Sequence, residues 1–381
     1  MNPPGTTALR VVIVTDTMHP FVIGGKEHRH FQLAKGLIKN GASVVVYTTK
    51  CWHGPRRIRI AGIEFVGLSR DHPRYAGSRR TVWQALTFSI ACLRLLTERF
   101  DVIDADAIPL LPVMTAWLVA RLRRRPMVVT FHEVWPAAYW ISYAGRLLGP
   151  ACAIAQLAAL HLPDAIVAGS AETARRIRPY GRSHVVTIES GADTEVLDAT
   201  PATGPWSDLL YAGHLMPHKR VDLAVEALRV LADRGRRLTL LIVGTGPEEA
   251  FLGRLVTELG LADSVSLQHP WADRRRFVSA LKSCKIMVMP SAREGFGIAV
   301  FEALTLGIPV VIANDGGNLA TALVRPGDRA SVVAPDPHSF ATAIQYWLER
   351  PGRPRQDRQA GRRDWDRCAR ETLDVYTDLR A

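Results

Sequence analysis

The chain has 381 residues, 48% of them hydrophobic and 22% charged, which excludes wholesale disorder and is too long for one ordinary core, so two domains are expected. Its formal net charge of +12, from 48 Lys and Arg against 36 Asp and Glu, calls for an anionic partner, whether nucleotide, lipid surface or nucleic acid, without choosing among them. Five cysteines, Cys51, Cys92, Cys152, Cys284 and Cys368, form no C-x-x-C and no metal-spaced cluster with histidine, which argues against zinc modules and for a reducing cytoplasm.

Met1–Ala8 has neither a basic head nor an apolar run, so no secretory leader is expected. The apolar stretches around 108–120 and 147–162 are interrupted and fall short of the roughly 20 residues that span a bilayer. The expected location is cytoplasmic, with a peripheral position on the inner face of the membrane left open. Arginines cluster at Arg121 and Arg123–Arg125, and again at Arg350, Arg353, Arg355, Arg358, Arg362 and Arg363; both clusters read as solvated surface.

In chain order, Val11–Thr15 reads as a first strand and His30–Lys39 as an amphipathic helix that Gly41 ends. Strands follow at Ser43–Thr48, Ile63–Leu68, Asp101–Ala105, Met127–Phe131, Ala165–Ala168 and Val185–Ile188, with helices in most of the gaps. This is the rhythm of parallel βαβ units and predicts a doubly wound sheet. Between Ser190 and Trp206 the pattern breaks into Gly, Asp, Thr and Pro, which places the inter-domain linker there. The rhythm restarts at Leu209–Ala212 and continues through helix 221–234, strand 238–243, helix 248–259, strand 265–267, helix 274–282, strand 286–289, helix 298–306 and strand 309–312. Trp365, Leu373, Val375, Tyr376 and Leu379 predict a last helix packed back on the body. The expected domains are 1–190, 207–350 and a C-terminal helical segment, 351–381.

Ligands of open parallel sheets collect beyond the carboxyl ends of strands, and four such loops stand out. After strand one, Gly24-Gly25 can let backbone approach a ligand while helix-start amides favour anions. Gly213–Arg220 is dense in cations, with His214, Lys219 and Arg220 suited to phosphate oxygens. Gly244-Thr245-Gly246 is half of a dinucleotide fingerprint and lacks its third glycine. The most informative loop is Glu294-Gly295-Phe296-Gly297-Ile298 with Glu302 in the helix that follows. There one carboxylate suits sugar hydroxyls, the other suits a ribose diol, and the glycines admit a ligand to backbone amides.

These loops, with Thr130-Phe131-His132-Glu133 and the spacing from Glu294 to Glu302 written E-x7-E, resemble the large group of retaining GT-B glycosyltransferases (family 4-like, group 1) over nearly the whole chain. The resemblance implies two Rossmann-like doubly wound domains facing a central cleft, the first binding the acceptor and the second the nucleotide sugar. It implies that Lys219 with a basic neighbour binds the diphosphate, Glu294 the sugar and Glu302 the ribose. Gly24 and Gly25 would approach the diphosphate from the other domain, and His132 would line the sugar pocket near the reacting carbon. Gly244, Gly246, Gly295, Phe296, Gly297 and Ile298 complete the expected donor site. Asp193 resembles the family's Asn-Gly-x-Asp hinge segment, with Ser190 replacing asparagine. His214 stands where the family usually has arginine. No metal or other cofactor is expected; Asp104-Ala105-Asp106 superficially matches a metal-binding D-x-D but sits in the wrong domain. The partners expected are a nucleotide sugar and a hydroxyl acceptor, with no nucleic acid.

Two other readings are a nucleotide-sugar 2-epimerase of the same fold and a basic nucleic-acid-binding protein, although no helix-turn-helix, finger or aromatic-basic platform is evident. The stretch from Arg79 and Arg80 through Trp83, Leu86, Phe88, Ile90, Leu93 and Leu96 reads as an internal packing helix, or as an amphipathic helix on anionic lipid.

Overall fold

A parallel sheet needs a crossover after each strand, and a computed structural model shows that alternation twice. It describes residues 8–77, 79–181, 184–204, 206–350 and 363–380. Met1–Val22, Lys26–Ser190 and Trp365–Ala381 form one unit; Ile23–Gly25 and Gly191–Asp364 form the other.

The first unit runs β1 (Arg10–Val14), α1 (Gly25–Lys39), β2 (Ser43–Lys50), β3 (Arg57–Ile60), β4 (Ile63–Arg70), α2 (Val82–Ala91), β5 (Val102–Asp106) and α3 (Leu110–Arg123). It continues through β6 (Met127–Phe131), α4 (Ala137–His161), β7 (Ala165–Ala168), α5 (Ala171–Ile177) and β8 (Val185–Thr187). The strand order is β8-β7-β6-β5-β1-β2-β4-β3, parallel except for β3 against β4. Val12 lies opposite Val45 of β2 and Ile103 of β5, and β1, β5, β6 and β7 are buried on both faces. Such strands read as unbroken apolar runs.

The second unit begins with α6 (Thr194–Ala199) and β9 (Leu209–Ala212), α7 (Val221–Asp233), β10 (Leu240–Val243), α8 (Glu249–Glu258), β11 (Val265–Gln268) and α9 (Arg274–Ser283). It then runs β12 (Ile286–Met289), α10 (Ile298–Thr305), β13 (Val310–Ala313), β14 (Ala330–Val333) and α11 (Pro337–Leu348). Its order is β11-β10-β9-β12-β13-β14, all parallel. Each sheet therefore has one point where the order reverses, beside β1 and β5 in the first and beside β9 and β12 in the second.

The last helix, α12 (Trp365–Asp378), belongs to the first unit. Tyr376 Oη donates to the buried Asp104 carboxylate on β5, and Thr130 donates to the same acid at 3.0 Å. Asp104 is thus engaged with the last helix, and burial pushes its carboxyl above the usual range. The segment 190–206 is not a plain linker, because α6 sits in it, capped by Asp193 accepting from Val196 N at 3.3 Å. Six residues are too few to show a helical period. α11 was not foreseen either, although Asp336 caps it and Pro337 opens it, both ordinary helix-start signals. Arg353, Arg355, Arg358 and Arg362 lie outside the described residues.

At Gly36 of α1, a Cβ would come 2.5 Å from Ala369 Cβ and 3.3 Å from Trp365 O of α12. Gly36→Ala, which by helix propensity alone would stabilise by about 1 kcal/mol, is expected to destabilise, and adding Ala369→Gly to restore the loss. Urea unfolding of the three proteins checks this; a more stable single variant would show that α12 does not pack there.

Candidate active site

Both reversal points carry clustered charge, as expected where strand ends splay apart and leave a crevice. In the second unit, the chain leaves β9 through Gly213 and His214, makes a single 3₁₀ turn at Pro217–Lys219, and enters α7 at Arg220, whose φ is +48°. Ala292 N donates to His218 O at 2.8 Å, tying this loop to the one that follows β12. Across that tie, Lys219 Nζ lies 2.6 Å from Glu294 Oε2 and 3.3 Å from Arg293 O. Arg293 and Glu294 pair in parallel with Gly317 and Asn318, which fixes the Glu294 backbone. A Cβ on Gly317 would meet Ala292 O at 2.5 Å, so glycine is required for that pairing.

Gly297 ends the loop at φ +83° as the residue before α10, where a Cβ would also come 2.8 Å from Ala320 Cβ. Gly295, Phe296 and Ile298 flank it, with Phe296 buried against Phe301. One turn into α10, Glu302 is fully buried; its Oε1 pairs with Arg274 at the start of α9. Its Oε2 has no hydrogen-bond partner. Burial raises the Glu302 carboxyl above its usual range, against the pull of Arg274. A buried carboxylate oxygen left unpaired is costly, and a ligand hydroxyl would satisfy it. Burial and the neighbouring Lys219 lower His218 to about 4, so its ring is neutral.

His214 is half-buried, and its carbonyl accepts from Tyr211 Oη at 3.0 Å. Arg220 Nε contacts Asp222 at 3.2 Å. A Cβ on Gly244 would collide with Gly213 O, and one on Gly246 with Leu215 O. The requirement for glycine at both positions is therefore backbone packing that clasps the His214 loop, through Leu215 N to Thr245 O at 2.9 Å.

In the first unit, Lys26 Nζ bridges Asp16 Oδ1 at 2.8 Å and Asp106 Oδ2 at 2.7 Å. Arg80 adds a second cation 2.9 Å from Asp16 Oδ2. Burial opposes the charge on Asp16, but Arg80 and Lys26 outweigh it and hold the carboxyl well below its usual range. Beside this network, His132 Nε2 lies 3.8 Å from Asp106 Oδ1, and the His30 and His132 rings meet edge-on at 5.4 Å. His30 Nδ1 is 3.0 Å from Lys26 O, while Nε2 of both rings is buried without a hydrogen-bond partner. Gly24 and Gly25 lie at the entry to α1.

Among the described residues, His30, Asp106 and His132 form the one group of three whose ligand atoms, within 4.8 Å of one another, could hold a metal ion. The Lys26 ammonium already neutralises Asp106 there. Asp104 and Asp106 of the D-x-D face different partners, Tyr376 and Lys26.

The structure brings Lys219 and Glu294 together, and places Glu302 in the same unit on the helix that follows. Sequence reasoning missed Arg274, Lys26, Asp16, Arg80 and His30. The signal for Lys26 was present in Gly24-Gly25-Lys26-Glu27; Arg274 is one of three consecutive arginines, and nothing local marks which one turns inward.

Residues 23–196 match the model of Glycosyltransferase Family 4, and residues 203–364 that of Glycosyl transferases group 1. The chain is 28% identical to a D-inositol 3-phosphate glycosyltransferase of Xylanimonas cellulosilytica over 98% of this chain and 97% of that protein. It is 32% identical to D-inositol 3-phosphate glycosyltransferase 2 of Catenulispora acidiphila over 55% of this chain, which spans only 56% of that relative. Among solved structures, sucrose-phosphate synthase from Thermosynechococcus elongatus superposes with a TM-score of 0.80 at 20% identity, covering 97% of this chain and 99% of that one. The Anabaena protein HepE, in complex with UDP-glucose, gives 0.72 at 17% identity, covering 97% and 100%. These likenesses show the GT-B fold of two Rossmann-like units.

Burial first, and then the neighbouring His30 ring and the charges of Arg29 and Lys26, hold His132 well below its usual range. A base whose folded pKa is depressed contributes stability that is present above its unfolded value and lost as pH falls toward the folded one. Stability is therefore expected to decline from about pH 6.5 downward, and His132→Asn to decline less steeply over the same window. Urea midpoints of both proteins between pH 7 and pH 5 check this; parallel curves would remove the assignment of a neutral buried imidazole.

Proposed function

We propose that this chain, whose two halves are glycosyltransferase domains by sequence and whose fold is GT-B, moves a sugar from a nucleoside diphosphate to a hydroxyl acceptor with retention at the anomeric carbon. The observation that carries the reading is the buried Glu302 carboxylate with one oxygen paired to Arg274 and the other unpartnered. That is the acceptor geometry a ribose diol would satisfy. The same unit supplies an ammonium for phosphate oxygens at Lys219 and, 2.6 Å away, a carboxylate for sugar hydroxyls at Glu294.

Breaking the bond between sugar and phosphate builds positive charge on the anomeric carbon and negative charge on the departing diphosphate. Stabilising that leaving group is the main demand. Lys219 supplies a fixed cation, His214 a proton-bearing ring, and the start of α10 a set of backbone amides. Retention by same-face attack, with a phosphate oxygen taking the acceptor proton, needs no protein nucleophile. We assign the acceptor to residues 1–190, with His132 as a polar contact to the transferred sugar, and the donor to residues 207–350, where Gly244 and Gly246 set the shape of the His214 loop.

The reaction is assigned as metal-independent, because Lys219, His214 and the helix N-termini of the same unit can do the neutralising. Acceptors of the cell-envelope glycan, lipid-linked or secondary-metabolite classes fit, and the relatives' names add inositol phosphate to the panel. Those names describe transferases, so the 2-epimerase reading is not favoured.

Incubation with UDP-, GDP-, ADP- and dTDP-sugars plus this acceptor panel, in EDTA, should give one product whose anomeric configuration by NMR matches the donor. An inverted product, turnover that EDTA abolishes and manganese restores, or sugar isomerisation without acceptor would each contradict part of the assignment. Lys219→Ala should lower kcat about 10²–10³-fold, the usual loss for a leaving-group or oxyanion contact.

Histidine is only partly charged near neutral pH, so His214→Arg should keep or raise kcat. A large loss on that substitution would give His214 a role that charge does not explain.

A further inference from the structure

We propose that the outer face of α2, α3 and α4 is a docking surface for an anionic lipid bilayer. In the first unit these helices are neighbours on one side of the sheet. The inward residues of α2 and of the turn after it, Phe88, Cys92 and Leu95, are fully buried in the core. The outward residues Val82, Leu86, Ile90 and Leu93, spaced four, four and three apart, are apolar as well and exposed, and Trp83 beside them is 62% exposed. A solvent-facing helix ordinarily turns a polar face outward; Val82–Ala91 contains no charged residue at all.

The same inversion continues along the layer. Leu118 and Leu122, one turn apart on α3, are exposed, and on α4 Leu147 is 92% and Ile154 68% exposed. Of the 16 large apolar residues exposed among those described, 13 fall between Tyr75 and Leu157. Exposed apolar side chains concentrated on one layer in this way point to an interaction site. No described helix is long and apolar enough to cross a membrane, so the contact is one made on the surface.

Charge selects the occupant. The helices Val82–Ala91, Leu110–Arg123 and Ala137–His161 contain no Asp or Glu; of the arginines on and around them, Arg74, Arg80, Arg121 and Arg125 pair with Asp71, Asp16, Asp164 and Asp101, whereas Arg94, Arg123, Arg124 and Arg146 are exposed. Exposed arginines sit next to exposed leucines: Arg94 by Leu93, Arg123 by Leu122, and Arg146 by Leu147. Apolar side chains interleaved with cations match a bilayer surface, where acyl chains receive the first and anionic headgroups the second. A second copy of the chain would bring the same positive face against itself and is disfavoured by that repulsion.

The test is flotation of the full chain with vesicles of phosphatidylglycerol mixed into phosphatidylcholine, against phosphatidylcholine alone. Binding is expected to rise with the anionic fraction and to weaken with salt. Trp83→Glu with Ile90→Glu, and separately Arg124→Glu with Arg146→Glu, should each reduce the bound fraction at least about tenfold. All four positions are exposed and outside the donor site, so circular dichroism and turnover with a water-soluble acceptor should be unchanged. Brominated lipid should quench the wild type more than Trp83→Phe. Absence of wild-type flotation, equal binding to phosphatidylcholine alone, or a wild-type dimer that Trp83→Glu with Ile90→Glu dissociates would overturn the proposal.

Discussion

The ammonium of Lys219, 2.6 Å from the Glu294 carboxylate, is the contact around which the loops of the second unit are arranged. Two charges at that separation, both mostly buried, need a rigid surround or the pairing does not offset their desolvation. The surround is backbone. Ala292 hydrogen-bonds to His218, Glu294 pairs beside Gly317, and the Gly244 turn clasps the Gly213 turn. At Gly317 and at Gly244 a side chain is missing where another backbone approaches. The glycines of these loops thus fix where charge sits, a prerequisite for electrostatic stabilisation that needs no reorganisation during reaction.

The first unit repeats the logic with different residues. Lys26 lies between Asp16 and Asp106 at the one place where the strand order reverses, and the second unit has Lys219 at its own reversal. Parallel strands point all their carboxyl ends the same way, so polar loops collect at one edge, and the reversal opens the only gap along that edge. Most of the buried charge around each gap is paired. Beside these paired ions, Nε2 of His30 and His132 and Oε2 of Glu302 are buried without a hydrogen-bond partner.

The two sides of the first sheet are covered differently. α1 lies under α12, and the contact of Gly36 with Ala369 and the bond from Tyr376 to Asp104 close that side with a second helix. On the other side, α2, α3 and α4 form the outermost layer with apolar residues facing out. The C-terminal helix thus covers one flank, and among the described residues no element covers the other.

Most of the fold was legible because parallel strands buried on both faces are unbroken apolar runs, and Met127–Phe131, Ala165–Ala168, Leu209–Ala212 and Ile286–Met289 occupy the predicted ranges. Short elements escaped: the edge strand Arg57–Ile60 alternates for only four residues, and Thr194–Ala199 is shorter than two turns. Lys219, Glu294 and Glu302 stood out because cations, carboxylates and glycines at a strand end have few other uses. By itself, then, the sequence determined two doubly wound units and the loops that carry their chemistry, since both follow from patterns along a few consecutive residues. Only the tertiary structure decided that Arg274 serves Glu302, that Lys26 joins two acids 90 residues apart in sequence, and that no other described element covers the flank of α2–α4. Those facts depend on which distant segments meet and which do not, and no local spacing encodes that.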